Sequence, residues 1–264
     1  RRVLFRSGNL TYRMREEEVA ECRPYFKEVP GEWVALGVQA DNLKGEYFIS
    51  TGSGKFLQNV GIEPQNSICI VEINDKGDSY RIVWGLENGG RPTSEFPTHF
   101  MNHSVRKRVT NGANRVIYHA HTPYVIALTY VLPLKSEVFT RMLWKSATEC
   151  CVVFPGGVGV VPWMVPGGPE IAKATCVLME KYDAAIWSFH GLFVSGPDFD
   201  TAFGLMHTIE KAAQIASIAL AANGGKAPRQ VITDDNLRDI GRDFGVKLNE
   251  EILDYKNPDE LFCD

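Results

Sequence analysis

The first third of the chain strings short β-prone runs together with no long helix between them. The runs lie at residues 8–14, 33–38, 47–51, 67–73 and 80–84. Parallel neighbours need a crossover of a dozen or more residues, whereas antiparallel neighbours need only a turn. The spacing therefore predicts an antiparallel or mixed sheet, not a doubly wound parallel one. Asn74-Asp75-Lys76-Gly77-Asp78 supplies the turn of a hairpin between the last two runs. Residues 15–21 are acidic and read as a solvated loop or a turn of helix.

Helical spacing takes over further on. Thr93-Ser94-Glu95 is a helix N-terminal signature and opens a helix to about residue 108. Residues 122–132, with Pro123 in the first turn, and residues 137–145 read as two more. Residues 150–154 and 158–163 read as a hairpin-like pair around Pro155-Gly156-Gly157, and residues 169–182 as a helix. Strands at 185–187 and 191–194 flank His190. The longest helix spans 198–222, with Phe199, Phe203, Met206, Ile209 and Ala213 as a core-facing stripe. Asn223-Gly224-Gly225 ends it, and a last helix starts near Thr233-Asp234. There is no internal repeat or linker, so residues 1–264 read as a single α/β domain with a mostly antiparallel central sheet.

Composition excludes several function classes. With 44% hydrophobic and 23% charged residues, the chain is of ordinary globular make-up. A net charge of −4 without a basic stripe gives nucleic-acid binding no electrostatic support. No apolar run is long enough to span a bilayer. The six cysteines, Cys22, Cys69, Cys150, Cys151, Cys176 and Cys263, show no Cys-X-X-Cys spacing. They read as reduced core thiols of a cytoplasmic protein.

Chemistry concentrates at the histidines. His119 and His121 stand two apart in a β-prone run, Val116-Ile117-Tyr118-His119-Ala120-His121. Alternate strand residues share a face, so the two imidazoles sit side by side. His190, in Phe189-His190-Gly191, is the candidate third nitrogen of a catalytic metal centre with one position open to substrate. Each histidine also has a plainer reading as a surface or satisfied core residue. His99, His103 and His207 are read that way, as surface or packing residues of helices. Glu95 reads first as a helix-start charge. With the hydroxyls of Thr93 and Ser94 beside an anion-binding helix start, it is also a candidate general base near the metal. Thr51-Gly52-Ser53-Gly54-Lys55 lacks P-loop spacing and is a tight turn or half of a phosphate site, with the Ser53 and Gly54 N–H groups as donors. Glu149 reads as a surface charge at a strand start.

These segments, in this order, resemble the class II aldolase/adducin superfamily. The matching stretches include Gly8-Asn9-Leu10-Thr11, Thr51-Gly52-Ser53-Gly54-Lys55-Phe56, Pro92-Thr93-Ser94-Glu95, His119-Ala120-His121, Thr148-Glu149-Cys150, Pro162-Trp163-Met164-Val165-Pro166-Gly167 and Phe189-His190-Gly191. The resemblance implies a three-layer fold with helices on both sides of the sheet. It implies one Zn2+ per subunit on His119, His121 and His190, with Glu95 as the catalytic carboxylate. It places the substrate phosphate on Asn9, Ser53, Gly54, Thr93 and Ser94, and gives Glu149 a role across a subunit interface of a homotetramer. The substrate it implies is a small sugar phosphate, L-rhamnulose 1-phosphate, with fuculose 1-phosphate as the competitor. A cupin-like oxygenase fits worse, because long helices follow residue 122 and the downstream metal motif is missing. A non-catalytic adducin-like scaffold fits worse too, because all three histidines and Glu95 are present.

Residues 1–7 resemble the translation of a sequencing adapter and are read as non-native. The resemblance implies a further, mostly helical N-terminal segment carrying another phosphate-binding Asn.

Overall fold

The computed structural model describes residues 8–256. Residues 1–7, read as non-native, and Cys263 lie outside the described part. In chain order the elements are β1 (Gly8–Arg13), α1 (Glu16–Cys22), β2 (Val34–Ala35), β3 (Tyr47–Thr51), α2 (Pro64–Ser67), β4 (Ile68–Ile73), β5 (Ser79–Gly85), α3 (Phe96–Val109) and β6 (Val116–Ala120). They continue as α4 (Pro123–Leu128), α5 (Ser136–Ser146), α6 (Cys150–Val153), β7 (Gly159–Val161), α7 (Pro169–Met179), β8 (Ala184–Trp187), β9 (Gly191–Gly196), α8 (Phe199–Ala222), α9 (Asp234–Asp243) and α10 (Glu250–Leu253). The fold class is α/β. Among the described residues nine strands run in the order β2-β5-β4-β3-β1-β6-β9-β8-β7 in one sheet. β1 pairs antiparallel with β3 and β6, as do β2 with β5, β3 with β4, β4 with β5 and β8 with β9, while β7 pairs in parallel with β8.

The chain divides into two compact units. The first runs to Ala120 and adds residues 165–180 and 195–199. Its ladder is built from the expected short strands. β4 and β5 form the expected hairpin, closed at Asn74 and Ser79. β1 lies between β3 and β6, so Asn9 pairs directly with His119 and Gly8 with Ala120. Phe48 meets Phe96 and Phe100 edge-on in the core below, with Leu43, Val71 and Ile73. Aromatic pairs in this geometry add to area burial. Arg106 of α3 donates to the Met179 carbonyl at 2.7 Å and ties α7 to α3.

The second unit comprises, of the described residues, 121–164, 181–194 and 200–256. Its core holds Phe139, Leu143, Trp144, Trp187 and Phe193. Arg141 of α5 donates to the Leu253 carbonyl and to Asp234, holding α9 and α10 against α5. α9 begins at Asp234, where the sequence placed a helix start, and the Thr233 hydroxyl caps it.

Three expectations need correction. Residues 150–154 are not a strand: Cys150–Val153 is a turn of helix, and Gly159–Val161 pairs in parallel with β8 rather than folding back on it. A short apolar run of Cys and Val cannot tell strand from buried helix by periodicity. The 33–38 run gives only the two-residue strand Val34–Ala35. In α8, Met206, Ile209 and Ala213 are buried, but Phe199 and Phe203 are 45% and 48% exposed. Phe199 instead lies against Tyr12, with ring centroids 5.1 Å apart.

Among the described residues no helix is long and apolar enough to cross a membrane. Among the described residues Cys22, Cys69, Cys150, Cys151 and Cys176 form no disulfide. Burial pushes the thiols of Cys69, Cys150 and Cys176 up to about 12, which favours their protonated form.

Candidate metal centre and its carboxylate

Glu95 sits at the N-cap of α3, yet its side chain caps nothing there. Its backbone N–H is taken by the Thr93 hydroxyl at 3.3 Å. The carboxylate turns instead toward β1 and β6, where Asn9 Nδ2 donates to it at 2.6 Å and His119 Nε2 lies 3.8 Å away. Glu95 is 8% exposed and His119 fully buried. The helix-cap reading of Glu95 therefore fails on geometry. The register of β1 with β6 explains the arrangement, since Asn9 is the Cα partner of His119.

The strap before Glu95 is docked on the glycine turn. Thr93 donates its N–H to the Thr51 carbonyl at 2.8 Å, Gly52 bridges to Pro92, and the Ser53 N–H goes to the Arg91 carbonyl at 2.9 Å. The two segments read from sequence as halves of one anion site thus lie side by side. The Ser53 N–H is spent on the strap, so the donors left on that turn are its hydroxyl and the Gly54 backbone. Ser53, Gly54 and Ser94 are exposed, whereas Thr93 is buried. The Asn9 amide N–H is directed to Glu95.

His121 directly follows β6, one residue beyond Ala120, and precedes α4. His190 lies in the tight turn between β8 and β9. Phe189 adopts φ 61°, an uncommon left-handed conformation for a non-glycine residue, and the His190 N–H returns to the Trp187 carbonyl at 3.0 Å. This turn puts His190 Nε2 at 3.1 Å from His121 Nε2. The ligand nitrogens of His119, His121 and His190 all lie within 4.8 Å of one another. Three imidazoles converging on one point are the donor set of a borderline divalent ion.

Glu149 stands apart, exposed at the N-cap of α6 and bonded to Lys211 Nζ at 3.1 Å. A backbone hydrogen bond and Lys211 hold its carboxyl below the usual range.

Two residues behind the site, read from sequence as surface or packing residues, are packing residues with a hydrogen-bond partner. His99 and His103, on α3, are fully buried and flank Thr11 of β1, whose hydroxyl lies 2.8 Å from His99 Nδ1 and from His103 Nε2. Burial drives both imidazoles well below their ordinary value. Their four-residue spacing on one helix face was the signal available.

A profile of the family described as "Class II Aldolase and Adducin N-terminal domain" matches residues 3–217. The chain belongs to the class II aldolase/adducin family. The chain is 44% identical over 247 residues to a "Rhamnulose-1-phosphate aldolase" from Klebsiella pneumoniae subsp. pneumoniae, covering 94% of this chain and 88% of that one. It is 46% identical over 239 residues to a protein of the same name from Escherichia coli O1:K1 / APEC, covering 90% and 86%. Among solved structures, a "sugar-phosphate aldolase from Thermotoga maritima" superimposes with a TM-score of 0.69 at 29% identity, over 84% of this chain and 88% of that one. The aldolase is thus an enzyme, a lyase.

Proposed function

We propose that the chain reversibly cleaves L-rhamnulose 1-phosphate to dihydroxyacetone phosphate and L-lactaldehyde, using one zinc per subunit. The observation that carries the reading is the convergence of His119, His121 and His190 beside a carboxylate that has left its helix cap. The donor set suits zinc: three nitrogen ligands, with the fourth position for substrate oxygen. Bound there, zinc supplies Lewis-acid polarisation of the ketose carbonyl. Glu95 is the proton carrier. In the condensation direction its carboxylate takes the C3 proton of dihydroxyacetone phosphate, and Asn9, bonded to the same carboxylate, fixes which oxygen faces the substrate. The hydroxyls of Ser53, Thr93 and Ser94, the Gly54 backbone and the Asn9 side chain hold the phosphate. That remote binding energy orients the reacting carbon. No Schiff-base lysine is required. Glu149 acts at a neighbouring subunit of a cytoplasmic homotetramer.

Relatives at 44–46% identity bear the rhamnulose name, which ranks that sugar over fuculose 1-phosphate. A coupled assay for dihydroxyacetone phosphate release separates them. The rhamnulose ester should turn over faster; equal or faster turnover of the fuculose ester would reassign the substrate.

A further inference from the structure

The pair His121 and His190 is held by one short helix. α4 begins two residues after His121. Its cap residue at the other end, Thr129, accepts the Phe189 N–H at 3.1 Å through Oγ1, immediately before His190. The Thr129 hydroxyl in turn donates to the Ile126 carbonyl at 2.6 Å. One six-residue rod therefore touches the chain next to both imidazoles.

The N-terminus of that rod is fixed from a distant element. Thr122, the N-cap residue, makes no side-chain cap, and Pro123 at the next position has no N–H to offer. The following two N–H groups, of Tyr124 and Val125, donate to the two oxygens of Glu210 on α8, each at 3.0 Å. Glu210 is 3% exposed. A buried carboxylate is costly unless its oxygens are satisfied, so its presence here calls for a compensating gain. Local residues such as Ser, Thr or Asp normally cap a helix. Here a carboxylate 85 residues away does so and locks the segment leaving His121.

We infer that Glu210 and Thr129 are positioning residues of the metal centre, setting the His121–His190 pair through the two ends of α4. The inference rests on the metal reading above. Without Glu210 the start of α4 loses two anchors, and without the Thr129 hydroxyl the Phe189 turn loses its hold. In either case the 3.1 Å nitrogen pair is no longer pre-set, and zinc must organise it on binding.

The test is calorimetric titration of zinc into the chelated full chain, with hydrogen exchange on the same metal-free samples. Glu210→Gln and Thr129→Val should each weaken zinc at least about tenfold, the loss seen when outer-shell partners of metal ligands are removed. Thr129→Ser should restore near-native affinity. Thr233→Ala, which removes a cap from α9 and touches neither histidine, should lower stability and leave zinc affinity unchanged. In the metal-free chain, exchange should quicken at Tyr124 and Val125 in Glu210→Gln, and at Phe189 in Thr129→Val. Zinc affinities within threefold of the unaltered chain in both variants would overturn the inference. If the unaltered chain itself takes up no zinc, the metal reading fails separately. The frame is then judged by exchange alone, and native protection at all three amides would overturn it.

Discussion

Asn9 donates to the Glu95 carboxylate at 2.6 Å from the strand position that pairs with His119. One register thus sets the amide that holds the Glu95 carboxylate opposite the imidazole of His119. A one-residue slip would turn Asn9 to the other face. Asn9 and His119 are therefore positioned by the ladder, and Glu95 reaches Asn9 from the start of α3.

Glu95→Gln keeps the side-chain volume but removes the proton acceptor. Zinc uptake should be retained, while deuterium exchange at C3 of dihydroxyacetone phosphate falls by roughly 10²- to 10⁴-fold, the range for a positioned general base. Proton NMR in deuterated buffer reads this directly, and undiminished exchange would remove Glu95 from that role.

Thr11 is the shared partner of two buried imidazoles. Thr11→Val takes a hydrogen bond from each and should cost about 1–3 kcal/mol of stability. Urea unfolding checks it, with Thr11→Ser expected near the native midpoint. An equal loss in both variants would assign the effect to packing instead.

Acid should weaken the fold in a defined window. The folded chain keeps His99 and His103 neutral well below the ordinary value of 6.5. Below that pH the unfolded chain binds protons that the folded one refuses, so stability falls as pH drops, by up to about 1.4 kcal/mol per unit for each imidazole. Denaturant midpoints of chelated protein between pH 7.5 and 5 measure this, as a series of order-of-magnitude steps in the unfolding constant. His103→Gln should flatten the slope, and an unchanged slope would exclude His103 as its source.

Gly8 occupies φ 137°, and a Cβ there would meet the His119 carbonyl oxygen more closely than real Cβ atoms approach. Gly89, at φ 80°, has open space around the same substitution. Gly8→Ala should therefore lose stability and weaken zinc uptake. Gly89→Ala should show only the left-handed backbone cost of about 1–2 kcal/mol. Equal effects of the two on unfolding and zinc titration would deny that Gly8 matters for the strand carrying His119.

Much of the site was legible because its signals are local. The two-residue spacing of His119 and His121, the Thr-Ser-Glu helix start and the Asn-Asp-Lys-Gly-Asp hairpin turn each follow from short-range rules. What escaped depends on contacts far apart in sequence. Glu210 looks like any helix charge until α8 meets α4. His99 and His103 read as surface or packing residues alike until Thr11 of β1 lies against them. The same limit explains residues 150–153, whose apolar run fits either element until its neighbours decide.

The proposed cleavage depends on one zinc ion held by the three histidines. The most direct measurement follows zinc content and dihydroxyacetone phosphate release together, as chelated protein is titrated with zinc and rhamnulose 1-phosphate is supplied. Activity should be absent in the chelated protein and rise linearly to a plateau at one zinc per chain, with His190→Ala failing to reach it. Full cleavage by metal-free protein, or stoichiometric zinc in His190→Ala, would contradict the account.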